Sequence, residues 1–506
     1  MEPRFLDAVR AAFPTGGAAL TLGAPVLKGE CHAEPLVGLP LAMMNRHGLI
    51  AGATGTGKTK TLQLLAEQLS NAGVPVFLAD VKGDLSGLGV AGDESDKVRQ
   101  RAKDTGFAWR PAPFPVDYLS LTGARGAQVR AAVSSFGPLL LARVLGLNGT
   151  QSSVLAMVFK YADDRKLELV DFRDLRAVLQ HLSGDGAADL KDYGGMSKAT
   201  VGVLLREMVE LEQQGALAFF GEPDLDLADL MQVERDGRGV LTVLELTDMQ
   251  DKPALFSTFM MWMLARLHGE LPEVGDPDKP KLVFFFDEAH LLFDGASKEF
   301  LDQVQQVVRL IRSKGVGVFF VTQSPKDIPA DVLGQLGHKV QHALRAFTPD
   351  DEAALKAAAR TFPKTGYYDV EETLQALGIG EALVTVLGPN GVPTPPFATR
   401  LIPPASRMGP LTEPELAQRL ASSPLVRKYK DVVNPESAEE KLAQATAEAA
   451  AAAPPAGDAP GGRRAAKEPP SLIEQVLRSP VTRTVAGQIT RGLMGALLGP
   501  PRRRRY

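Results

Sequence analysis

Residues 52–59 read Gly52-Ala53-Thr54-Gly55-Thr56-Gly57-Lys58-Thr59 and satisfy the phosphate-loop pattern G-x-x-x-x-G-K-[ST]. No other feature of the chain restricts its architecture as tightly, because the pattern works only between a buried strand and a helix. Both flanks comply. His47-Gly48-Leu49-Ile50-Ala51 is a short apolar run, and residues 58–71 carry Leu62, Leu64, Leu65 and Leu69 at helical spacing. Glycines leave no Cβ in the way, so successive N–H groups and the helix N-terminus can surround a triphosphate. Lys58 is then expected to reach the β- and γ-phosphates, and the Thr59 hydroxyl to ligate Mg²⁺. A chance Gly-rich turn is the competing reading, and the strand–loop–helix setting weighs against it.

The rest of the chain is consistent with an α/β protein. Further strand-like runs occupy residues 74–79, 239–244, 282–286, 317–322, 338–344 and 381–387, giving a core of about seven strands with 49–51 included. Residues 97–235 break the rhythm with helical periodicity. The expected architecture is an α/β P-loop core with a mainly parallel sheet and a helical insertion, ending in a flexible linker and a short helical tail. The expected segments are an N-terminal extension (1–45), the phosphate-loop half of the core (46–96), the helical insertion (97–235) and the Walker B half (236–434). An Ala/Pro-rich linker (435–470) and an amphipathic helix with a basic tail (471–506) follow.

Composition sets outer limits. With 44% hydrophobic and 23% charged residues the chain can bury a substantial core. Its net charge of −4, from 56 Lys+Arg against 60 Asp+Glu, provides no global field for nucleic acid, so any such contact must be local. The lone Cys31 excludes an internal disulfide and a Cys-rich zinc site. It fits a reducing compartment, and with no secretory apolar run at the start the expected location is cytoplasmic. No transmembrane segment is expected, since no stretch reaches about 18 uncharged apolar residues.

The run Leu282-Val283-Phe284-Phe285-Phe286 ends in Asp287 and Glu288. At a strand end beside the phosphate loop, Asp287 is expected to hold Mg²⁺ through water and Glu288 to polarise the attacking water. A helix N-cap pair is the plainer reading, disfavoured by the five-residue apolar run. Gln323, at the end of the next strand, can both donate to a γ-phosphate oxygen and orient water; the alternative is a solvent-facing turn amide. Asp80 and Asp84 in Asp80-Val81-Lys82-Gly83-Asp84 stay open between a contact with water, magnesium or a loop partner and a simple turn. No guanine-reading N/T-K-x-D tetrapeptide is present, which favours ATP over GTP.

Five stretches together resemble the bacterial HerA-like ATPases of the HerA/FtsK superfamily. They are Asn45-Arg46-His47-Gly48-Leu49-Ile50-Ala51-Gly52, Asp80-Val81-Lys82-Gly83-Asp84-Leu85-Ser86-Gly87, Phe219-Phe220-Gly221-Glu222-Pro223, Phe286-Asp287-Glu288-Ala289-His290-Leu291-Leu292, and Arg309-Leu310-Ile311-Arg312-Ser313-Lys314-Gly315-Val316-Gly317 with Val321-Thr322-Gln323. The resemblance runs from about residue 20 to 435 and is closest to a helicase-like branch of unknown substrate. It implies a RecA-like P-loop NTPase core assembling as a homo-hexamer with ATP between subunits and acting on double-stranded DNA. It also implies that an arginine just upstream of the phosphate loop, here Arg46, stabilises transition-state charge. Arg309, Arg312 and Arg345 are rival candidates. The first 45 residues are too few for the N-terminal β-barrel of archaeal HerA motors, so that docking element is not expected.

Near the C-terminus Leu472, Ile473, Val476, Leu477, Val485, Ile489, Leu493 and Leu497 recur at near-helical spacing, interrupted by Pro480 and several glycines, before Arg502-Arg503-Arg504-Arg505. A helix folding back on the core is one use; docking to a partner protein or an anionic membrane surface is another. The expected function is Mg²⁺-dependent ATP hydrolysis in a DNA-translocating or unwinding ring. The alternatives are an ATPase that remodels or anchors a protein or membrane assembly, and a nucleotide-gated scaffold with little turnover.

Overall fold

A computed structural model describes residues 2–13, 18–249, 252–294, 298–388 and 390–452. Its strands are β1 (Ala19–Leu27), β2 (Glu30–Cys31), β3 (Val37–Pro40), β4 (Gly48–Ala51), β5 (Val76–Asp80), β6 (Val116–Ser120), β7 (Ala127–Gln128), β8 (Leu241–Glu245), β9 (Leu282–Phe286), β10 (Val316–Thr322), β11 (His338–His342), β12 (Glu381–Thr385) and β13 (Phe397–Leu401). They form one 13-stranded sheet in the order β2-β1-β13-β12-β11-β4-β10-β9-β5-β8-β6-β7, with β3 paired to β1. From β11 to β7 every neighbour pair is parallel, while β12, β13, β1, β2 and β3 add an antiparallel flank.

The central strands β4, β5, β8, β9 and β10 are buried at every position because both of their faces are covered. On β9, Leu282, Phe284 and Phe286 pack into one core with Phe77 and Ala79 of β5 and the helices of the insertion. The alternate residues Val283 and Phe285 enter the opposite core. There they join Leu62, Leu65, Ala66 and Leu69 of the helix Lys58–Asn71, and Phe5 and Val9 of the helix Glu2–Ala12.

The sheet is wider than the seven runs read from sequence. The first 45 residues contribute β1 and β3 to it, and β1 pairs directly with β13. The segment 97–235 supplies β6 and β7 between the helix Asp96–Thr105 and its later helices, which include Gly149–Arg165, Phe172–Ser183 and Lys198–Gln213. The N-terminal part of the span read as linker is a helix, Ala438–Ala452. Its first turn meets the insertion: the Ala438 amide donates to the Glu168 carbonyl at 2.9 Å and the Glu439 amide to Asp174 Oδ1 at 2.9 Å. Ala and Glu are strong helix formers, so composition alone did not separate this helix from a linker. The rest of the linker and the amphipathic segment 471–506 lie outside the described residues. No described helix is long and apolar enough to cross a membrane.

Candidate active site

Parallel strands that share a direction deliver their C-terminal ends to one rim, and the chemistry-bearing residues gather there. The phosphate loop leaves β4 and is clamped from both sides: the Gly52 amide donates to the Thr322 carbonyl of β10 at 3.2 Å, and the Ala53 amide to the Ala343 carbonyl just past β11 at 2.9 Å. Gly52 has φ +154°, and a Cβ there would stand 2.5 Å from the Cβ of His342. Gly57 caps the following helix at φ +114°. Ala53, Thr54, Gly55 and Thr56 form the bend between these two glycines, with Thr54 and Gly55 exposed. Thr56 fixes the bend, its hydroxyl donating to the Ala53 carbonyl at 2.7 Å. Lys58 and Thr59 open the helix, and the Lys58 ammonium turns back onto the Gly52 carbonyl at 2.7 Å and the Ala53 carbonyl at 3.2 Å. Burial lowers its pKa, opposed by the nearby Glu288 carboxylate. Behind the loop, His342 Nε2 lies 2.8 Å from the Thr61 hydroxyl.

The two acids reach the same rim from β9. The Asp287 amide donates to the Ala79 carbonyl of β5 at 3.3 Å, and the Ala289 amide to the Val321 carbonyl of β10 at 2.9 Å. Asp287 and Glu288 are both buried. Burial first, then the charges of Glu288 and Asp80, push the Asp287 pKa up to about 7. Its Oδ2 has no hydrogen-bond partner. Glu288 sits at φ +49°, a conformation disfavoured for a residue with a side chain. Its Oε1 accepts from the Lys82 ammonium, and its Oε2 lies 3.3 Å from His290 Nδ1.

Gln323 is exposed at the end of β10 and lines a cleft of about 780 Å³ with Ala53, Thr54, His290, Lys326 and Arg345. The turn that presents it is held by Asp327, whose Oδ2 accepts from the Thr322 hydroxyl at 2.8 Å and the Ser324 amide at 2.9 Å. Asp80 takes the turn role: it accepts from the amides of Lys82 (3.2 Å), Gly83 (2.8 Å) and Leu85 (2.8 Å). Burial and Glu245 push its pKa up to about 7.

Arg46 stands apart. It precedes β4 while Gly52 follows it, and its guanidinium pairs ahead of β9, so Arg46 and its own phosphate loop lie at opposite ends of the parallel strands. There Arg46 Nη2 pairs with Asp276 Oδ1 at 2.9 Å, and Arg312 Nη2 approaches the same oxygen at 3.6 Å. Arg309 is exposed on the helix Lys298–Ile311. Arg345 is the one rival in the cleft, where it donates to the carbonyls of Gln375 and Leu377. Sequence reasoning missed Lys82 as a partner of Glu288, because the two stand at the ends of strands far apart in sequence and no local spacing links them. It also missed the His342–Thr61 contact, for which no local signal exists.

The arrangement fits a nucleotide with magnesium. The loop is a cradle that a Cβ would fill, and a buried carboxylate oxygen is left unpaired beside it. No set of three or more His, Cys, Asp or Glu among the described residues is arranged to hold a metal unaided. That is the usual condition of Mg²⁺, which takes one or two protein oxygens and the rest from phosphates and water.

Residues 26–505 match the family model described as helicase HerA-like C-terminal. The chain belongs to this family. Within it, the chain is 22% identical over 343 residues to the DNA double-strand break repair helicase HerA of Saccharolobus solfataricus, a match covering 67% of this chain and 61% of that protein. It therefore spans less than two thirds of that relative's length. Among solved structures, the bacterial conjugative coupling protein TrwBdeltaN70 in its unbound monoclinic form aligns with a TM-score of 0.51 at 15% identity, covering 80% of this chain and 94% of that one. The plasmid coupling protein TrwB in complex with the GTP analogue GDPNP gives 0.50 at 16% identity, with coverages of 78% and 99%. At these identities the likeness bears on fold alone. The HerA-like chain has the RecA-like core expected from its motifs and is a P-loop NTPase by class.

Proposed function

We propose that this HerA-like chain hydrolyses ATP with Mg²⁺ as one subunit of a homo-hexameric ring that translocates or unwinds double-stranded DNA. The observation that carries the reading is the convergence of the Lys58 loop and the Asp287–Glu288 pair on one rim, joined through β10. In this reading the loop amides and Lys58 hold the β- and γ-phosphates. Thr59 and Asp287 hold the magnesium, which supplies charge neutralisation at the phosphates when bound. Glu288 takes the proton of the attacking water, and Gln323 orients that water from the cleft wall.

The position of Arg46 supports the ring. At the strand end away from its own loop it is placed to serve the nucleotide of a neighbouring subunit, and an arginine delivered in that way is worth about 10³–10⁵ in rate. Similarity to the DNA double-strand break repair helicase HerA of Saccharolobus solfataricus supports DNA as the track. The test is native mass measurement with and without ATP and duplex, coupled to a turnover assay. Six-fold mass with duplex-stimulated hydrolysis that falls as salt rises agrees with the proposal, since phosphate contacts release counterions. A persistent monomer overturns its inter-subunit part, and salt-independent turnover overturns its DNA part.

A further inference from the structure

Lys82 and Glu288 come from different strand ends and meet in a setting that the hydrolytic reading does not explain. The loop after β5 is pinned by the three amides that Asp80 accepts, so Lys82 is carried on a fixed backbone with a movable side chain. That side chain is 42% exposed, whereas the Glu288 carboxylate it holds is 6% exposed. The asymmetry matters. Lysine can leave the pair for another anion on the solvent side, while glutamate cannot leave without a replacement partner in its pocket. The Glu288 backbone is equally fixed, its amide donating to Asp287 Oδ1 at 3.0 Å and the next amide to Val321. Its φ of +49° is a local strain that the surrounding bonds sustain, as occurs at functional pivots. The Lys58 ammonium feels the charges of both Glu288 and Lys82, so the pair stands beside the phosphate loop and not at a remote surface.

We infer that Lys82 is a γ-phosphate sensor: without a third phosphate it is held by Glu288, and when that phosphate arrives its ammonium transfers to the phosphate oxygens and frees Glu288 for water. The exchange is one of ionic partners, with no covalent bond made or broken. A diphosphate ends short of Lys82 and leaves the pair closed. The carboxylate thus becomes available to water only when a hydrolysable nucleotide is in place. This inference rests on the nucleotide-binding reading proposed above, and it makes Lys82 a positioning residue for Glu288 as well as a phosphate ligand.

The test is calorimetric titration of the full chain with ADP and with the non-hydrolysable analogue AMP-PNP, both with Mg²⁺. Wild type is compared with Lys82→Met, Lys82→Arg, Glu288→Gln and the double variant Lys82→Met/Glu288→Gln. Loss of one charged hydrogen bond to phosphate is expected to cut the AMP-PNP affinity of Lys82→Met about tenfold or more, with ADP affinity within about twofold of wild type. Lys82→Arg restores most of the preference. Glu288→Gln removes the competing carboxylate and raises the AMP-PNP-to-ADP ratio, and the double variant loses that gain. An unchanged ratio in Lys82→Met, or equal weakening of both nucleotides, makes the pair merely structural and overturns the sensor. Wild type that binds neither nucleotide overturns the underlying reading as well, so the two failures are told apart.

Discussion

The amide of Ala289 donates to the carbonyl of Val321 at 2.9 Å, which ties the segment carrying Asp287 and Glu288 to the strand that also clamps Gly52. Acid pair and phosphate loop are therefore held by a common element, β10, and any shift of one is felt by the other.

Lys58→Ala and Glu288→Gln are expected to separate binding from turnover. Removing the lysine abolishes measurable nucleotide binding, while removing the carboxylate leaves ADP bound and lowers kcat about 10²–10⁴-fold, the range of a general base. Equilibrium binding and steady-state turnover on the same preparations check this; equal rates in wild type and Glu288→Gln would return the scaffold alternative.

Arg46 yields a mixing experiment. Arg46→Ala and Lys58→Ala are each expected to be inactive alone, and co-assembled rings to recover part of the wild-type rate. In such rings a subunit with an intact loop can sit beside one with an intact arginine. Arg46 and Gly52 lie at opposite ends of β4, which favours action between subunits; within-subunit action predicts no recovery, since every subunit then lacks one of the two residues, and the mixture decides between them.

At Gly52 the alanine variant is expected to lose about 1–3 kcal/mol of stability, since its Cβ would lie 2.5 Å from that of His342 and something must shift. The measurement is urea unfolding, with a parallel loss of nucleotide affinity because the displaced loop no longer aims its amides inward.

Buried histidines set the acid limit. His47 Nδ1 accepts from the Val318 amide at 3.0 Å and its Nε2 lies 2.7 Å from the Val308 carbonyl, an arrangement that selects the neutral ring protonated at Nε2. His338 is held alike, between the Leu387 amide and the Met43 carbonyl. Burial lowers both from 6.5 to about 4. The unfolded chain is then the better proton acceptor, so this stability is complete above about pH 6.5 and declines as pH falls towards 4, by about 1.4 kcal/mol per unit for each ring. Asp80 and Asp287, raised to about 7, act in the opposite sense over much of the window. The expected result is read as a difference: the stability advantage of wild type over His47→Gln shrinks by about 1.4 kcal/mol per unit from pH 6.5 to 4. A constant difference refutes it.

The phosphate loop and the acids Asp287 and Glu288 are legible in the sequence because their chemistry demands a contiguous pattern at a strand end. The apolar run from Leu282 to Phe286 exposes its strand because both faces are covered. By contrast β1 contains glycine and proline, β7 has two residues and β6 begins with a polar alternation, so each becomes a strand only through its neighbours. The Lys82–Glu288 pair is invisible for a related reason. It arises where two strands that are distant in sequence end side by side, and no local spacing encodes that meeting.

The clamp on Gly52 and Ala53 has a consequence for biosynthesis. Both carbonyls that receive those amides, of Thr322 and Ala343, belong to the far end of the core. A chain growing from its N-terminus displays the glycine-rich turn early, supported only by the local bonds of Thr56 and Lys58, and gains both lateral clamps once most of the remaining core has been translated. Synthesis thus finishes the cradle last, whatever its place near the start of the gene product.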